Sequence, residues 1–120
     1  MNTASLDLCK ELYKLSGWDG VSYWYDSNGT TEIVLSEKRA SIQNQREVYA
    51  ENEVPAYDLG YLLRKLPQTG TNKQLRLIRG TVNWQAELTR VGSKTILGIA
   101  NTPEDAACKL AIELFKQGVL

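Results

Sequence analysis

Between Tyr61 and Lys94 stand seven bases, Arg64, Lys65, Lys73, Arg76, Arg79, Arg90 and Lys94, against a single acid, Glu87. Arg76 and Arg79 flank the aliphatic pair Leu77-Ile78 in a β-prone run, and a strand holds a guanidinium fork firmly toward a phosphate or carboxylate. Trp18, Tyr23, Trp24 and Tyr25 lie within eight positions. Strand alternation puts Tyr23 and Tyr25 on one side and Trp24 on the other. A ring that stacks on a base, beside a fork that grips a phosphate, is the composition of a site for a flat, anionic ligand. Each feature has a structural reading as well. The arginines fit a solvated strand face, where Arg76 can share the wet side with Glu87 or Asn83, and Trp24 fits a core position. Trp84 reads as core too, since Val82, Ala86 and Leu88 alternate with it.

Other chemistries find little support. There is no histidine, so the commonest metal ligand, the usual proton shuttle near pH 7 and any Ser-His-Asp arrangement are missing. No GxxxxGK[ST], GxGxxG or SxxK pattern occurs. Glu104 and Asp105 could be a catalytic pair, but a place in the first turn of a helix already explains both acids through the helix dipole. Cys9 and Cys108 stand in no metal-ligand spacing and read as buried reduced thiols. The expectation is no enzyme, no metal and no cofactor.

The elements that must position these residues follow from periodicity. The 120 residues suit one domain over 1–120. Leu8, Leu12 and Leu15 behind Thr3 and Ser5, with Gly17 as stop, predict a helix over 4–16. Val21 to Asp26 and Thr31 to Leu35 predict a hairpin through Asp26-Ser27-Asn28-Gly29. The polar stretch 36–53 reads as a mobile loop or an extra strand. Asp58 caps a short helix carrying Leu59, Leu62, Leu63 and Leu66, which Pro67 stops. Leu75 to Ile78, Val82 to Thr89 and Thr95 to Ala100 predict three antiparallel strands, joined through Gly80-Thr81 and Gly92-Ser93. Thr102-Pro103-Glu104-Asp105 opens a last helix over 103–117, with Ala107, Leu110, Ala111, Leu114 and Phe115 as its apolar stripe. The fold class is α+β, order α-β-β-α-β-β-β-α, with helices packed on an antiparallel sheet.

Several of these segments resemble the small bacteriophage domain called the phage ABA sandwich. They are Val54-Pro55-Ala56-Tyr57-Asp58 with its helix, the strand with Trp84-Gln85-Ala86, and the closing Ala100 to Ala107 with Leu110-Ala111-Ile112; Trp18 after the first helix fits the same outline. The similarity runs from about Leu6 to Leu114 and departs from the pattern in 36–53 and in the richer aromatic hairpin. The resemblance implies a phage accessory protein without catalytic residues, acting by occupancy on a host defence protein or by sequestering a host signalling nucleotide.

Fourteen bases balance fourteen acids, so no global field draws the chain onto nucleic acid or a membrane. The N-terminus has no secretory pattern, and Ile96 to Ala100 is far shorter than the ~20 residues a membrane span needs. These features predict a soluble protein of the cytoplasm, that of the host cell if phage-encoded. The leading expectation is a non-catalytic anti-defence protein that sequesters a small anionic nucleotide-derived signal through Trp18, Trp24, Tyr57, Arg64, Arg76 and Arg79. It should form a homo-oligomer, because small domains enclose pockets most readily at subunit interfaces. The alternatives are an inhibitor or adaptor of a host protein, or a weak nucleic-acid binder.

Overall fold

Asp58 and Thr102 start two helices as their positions predict: the Asp58 carboxylate accepts from the Tyr61 N–H and the Thr102 hydroxyl from the Asp105 N–H. The computed structural model describes residues 2–26, 34–37 and 53–120. The elements are α1 (Leu6–Ser16), β1 (Tyr23–Asp26), β2 (Val34–Glu37), β3 (Glu53–Ala56), α2 (Leu59–Lys65), β4 (Lys73–Arg79), β5 (Trp84–Arg90), β6 (Ile96–Ala100) and α3 (Pro103–Lys116). This is the expected α+β order with one addition, β3. Pro55 tells against a strand in sequence, because it lacks an N–H, but β3 lies at a sheet edge, where that donor is dispensable.

The strands divide between two antiparallel sheets, ordered β2-β1-β3 and β4-β5-β6. In the first, Trp24 pairs with Ser36 and with Pro55. In the second, Leu75 pairs with Leu88 and Leu88 with Ile96, which sets one apolar row against α3. The outer row carries Arg76, Glu87 and Leu97. Gly98 lets α3 approach: a Cβ there would collide with the Ala106 carbonyl oxygen and the Leu110 nitrogen. One buried cluster joins the two halves, from Leu12, Trp24 and Val54 to Leu88, Ile96, Leu110 and Leu114.

The start of the chain is tied to both halves. Ala4 N–H donates to the Tyr57 carbonyl at 2.8 Å, and Cys108 Sγ donates to the Leu8 carbonyl. Gly17 ends α1 in the left-handed conformation, φ 66°, as expected of a glycine after a helix.

Two readings need amendment. Val82 is 81% exposed and belongs to the turn closed by Gly80 N–H on the Asn83 carbonyl at 2.7 Å, so β5 begins at Trp84. The second strand of the hairpin runs on to Glu37, into the polar stretch. The hairpin turn, the expected strand start at 31–33 and residues 38–52 of the polar segment lie outside the described residues. Among the described residues no helix is long and apolar enough to cross a membrane.

Candidate functional site

Trp84 opens β5 and pairs with Ala100 on one side and Arg79 on the other. Gly98 is level with Ala106 and Leu110, so Ala100 and Trp84 lie level with the first turn of α3. The helix therefore ends its cover there, and the ring is half-buried rather than sealed in the core. The result is an open cleft of about 560 Å³, lined by Trp84, Tyr25, Glu104, Asn101, Thr3 and Asn2 together with Thr102 and Pro103. That volume suits a small molecule.

The walls are held by internal hydrogen bonds. Tyr25 Oη donates to the Ala4 carbonyl at 2.7 Å and lies 2.8 Å from Thr3 Oγ1. Burial pushes the Tyr25 hydroxyl up from its ordinary pKa. Thr102 Oγ1 accepts from Asp105 N–H at 3.1 Å. The Arg79 guanidinium lies 5.9 Å from the centroid of the Trp84 ring. Glu104 is only 7% exposed, and its carboxylate is acceptor-only when ionised. The arrangement combines a flat ring, a cation over that ring, side-chain amides and one carboxylate. It can hold a planar heterocycle that carries an anion at one end and N–H donors at the other.

The six residues expected to bind are not brought together. Trp24 is 2% exposed and packs edge-on to Tyr13; it is core, because its side of β1 faces α1. Tyr57 is fully buried, and its hydroxyl donates to the Trp18 carbonyl at 2.6 Å, securing the turn after α1. Neither can stack on a ligand. Trp18 packs against Phe115 and Tyr61, and Lys65 Nζ already sits over the Trp18 and Tyr61 rings at 5.7 and 5.6 Å. Arg64 is exposed on α2. Arg76 is spent on Glu87, 3.1 Å away on the outer face of the sheet, where Gln85 also donates to that carboxylate. Of the six, Arg79 alone touches a residue of the cleft, the Trp84 ring, and it is not itself part of the lining.

Trp84, Tyr25, Glu104 and Asn101 were missed as site residues. The available signal was positional: Trp84 follows a turn and Glu104 follows a helix cap, so both stand at element ends, where cover runs out. A second concavity, about 440 Å³, runs between β6 and α3 and has Leu97, Ile99, Lys109, Glu113, Lys116 and Glu11 in its lining. It has no aromatic residue. Among the described residues no group of three His, Cys, Asp or Glu could hold a metal ion. No family model, curated protein or solved structure matches the chain.

Proposed function

We propose that the protein is a non-catalytic, phage-type anti-defence protein that sequesters a small anionic nucleotide-derived signalling molecule in the Trp84 cleft. The observation that carries this reading is the Arg79 guanidinium set against the Trp84 ring, with Tyr25 on the opposite wall. A base stacked on Trp84 contributes about 1–3 kcal/mol, and a charge-assisted hydrogen bond from Arg79 to a phosphate about 1.5–3 kcal/mol. Glu104 and Asn101 are placed to read the edge of the base. The resemblance to phage ABA sandwich domains supplies the phage setting and with it the host cytoplasm, and the homo-oligomeric form rests on the ease with which small domains enclose pockets at subunit interfaces.

The test is titration with cyclic nucleotides and ADP-ribose derivatives, followed by tryptophan fluorescence and calorimetry, with the ligand recovered by heat denaturation. Saturable binding that Trp84→Ala weakens, with the ligand returned intact, is the expected result. Absence of saturable binding, or recovery of a cleaved product, sinks the reading.

A second reading, an inhibitor or adaptor of a host protein, draws on one observation. Leu97 and Ile99 are 40% and 45% exposed on the edge strand β6, and an edge offers unpaired backbone groups to a partner strand. Capture of a host protein lost on Leu97→Glu, with no nucleotide binding, would favour it.

A further inference from the structure

The β4–β5 hairpin has a second cationic end, about 20 Å from the Trp84 cleft at six residues of ~3.4 Å each. There Lys73 and Arg90 are direct cross-strand partners. Like charges in that position repel, and among the described residues the pocket of about 390 Å³ that they line has no acid. Arg90 Nε is shielded from water and has no hydrogen-bond acceptor among the described residues.

Five other cations have partners: Arg76 and Lys116 have carboxylates, Lys109 has the Ile99 carbonyl, and Arg79 and Lys65 have rings. The backbone around Lys73 and Arg90 is nevertheless fixed. Gly70 N–H donates to the Lys73 carbonyl at 2.9 Å, Val91 N–H to the Asn72 carbonyl at 3.0 Å and Ser93 N–H to the Arg90 carbonyl at 3.1 Å.

We propose that this end of the hairpin is a binding site for a phosphate-class oxyanion, either free phosphate or the terminal group of a phosphomonoester. The guanidinium offers a planar pair of donors, the ammonium a second charge, and the Thr71 hydroxyl stands in the same lining. The bound anion would relieve the repulsion between the two cations. This site is independent of the nucleotide reading, because Arg79 and Trp84 take no part in it.

Calorimetry and thermal melting in inorganic phosphate against chloride at matched ionic strength test it, with methyl phosphate as a parallel arm. Saturable phosphate binding and a raised Tm are expected. Lys73→Gln and Arg90→Gln should each weaken binding about tenfold or more, and Trp84→Ala should leave it unchanged. Methyl phosphate binding as tightly as phosphate assigns the site to a monoester, and binding of phosphate alone assigns it to the free ion. Lys73 is exposed, so Lys73→Gln retains the fold. Identical melting in phosphate and chloride, wild-type phosphate affinity in Lys73→Gln, or loss of phosphate binding in Trp84→Ala overturns the proposal.

Discussion

The backbone N–H of Ser5 donates to Asp105 Oδ1 at 2.7 Å, across 100 positions of sequence. The bond joins the starts of α1 and α3. Ser5 makes no side-chain cap of its own helix, so the first helix borrows an acceptor from the last one. Asp105 thereby acts in two helices, since its own N–H is the donor to Thr102 in the cap of α3.

Replacing Asp105 by Ala should therefore destabilise the fold by about 0.5–1.5 kcal/mol, the net range for a hydrogen bond whose donor water can reach. Asp105→Asn keeps an acceptor oxygen and should cost less. Urea denaturation of both variants measures the difference, and equal midpoints for Asp105→Ala and wild type would show that water replaces the carboxylate without loss.

The apolar face of α3 is the mechanical centre of the core. Leu110 is fully buried, and Leu110→Ala should cost about 2–5 kcal/mol. Lys116 forms an exposed ion pair with Glu11 at 3.2 Å, and Lys116→Ala should cost under about 1 kcal/mol. Gly98→Ala should cost about 1–3 kcal/mol, through the collision with Ala106 and Leu110. The ordering of the three denaturation midpoints checks the packing.

Two tryptophans should separate cleanly by assay. Trp24→Ala removes a buried ring and should cost about 3–5 kcal/mol of stability. Trp84→Ala should cost less stability and remove about 1–3 kcal/mol of ligand binding. Thermal melting beside ligand titration distinguishes them, and a Trp84→Ala variant with unaltered affinity would move the site elsewhere.

Alkaline pH should weaken the fold through the cysteines. Burial pushes the Cys9 thiol up from 9.0 to about 12, and burial raises Cys108 as well. The folded state therefore keeps a proton that the unfolded chain releases near pH 9. Stability from this source is complete below pH 9 and declines as pH rises toward 12. Between pH 8 and pH 10 the wild type should lose more stability than the double Cys9→Ala, Cys108→Ala variant, by about 1 kcal/mol per thiol. Urea midpoints at the two pH values measure it.

Much of the architecture was legible because its signals were local. Asp58, Thr102 and Gly17 each announce a helix end through their own chemistry, and the alternation through Ala86 and Leu88 marks a half-buried strand. The candidate site was less legible because cover is not local. Trp24 and Trp84 both alternate with their neighbours, yet α1 and Tyr13 seal one while the start of α3 leaves the other at a cleft. Arg76 and Arg79 are three residues apart, and only cross-strand register shows that Glu87 claims the first. The strand at Pro55 was hidden for a similar reason, since its tolerance depends on being at an edge.

The close seat of Gly98 against α3 fixes how the cleft can change shape. A helix whose backbone rests on the strand cannot slide along it without the two colliding, so α3 and the β4-β5-β6 sheet travel as one body. Trp84, Asn101 and Glu104 are all carried on that body. Any widening or narrowing of the cleft then falls to the other wall, Asn2 to Ser5 with Tyr25. That wall is fastened by Tyr25 to Ala4 and Thr3, by Ala4 to Tyr57, by the bridge between Thr3 and Asp58 and by Ser5 to Asp105, so any change in the shape of the cleft has to loosen one of these bonds.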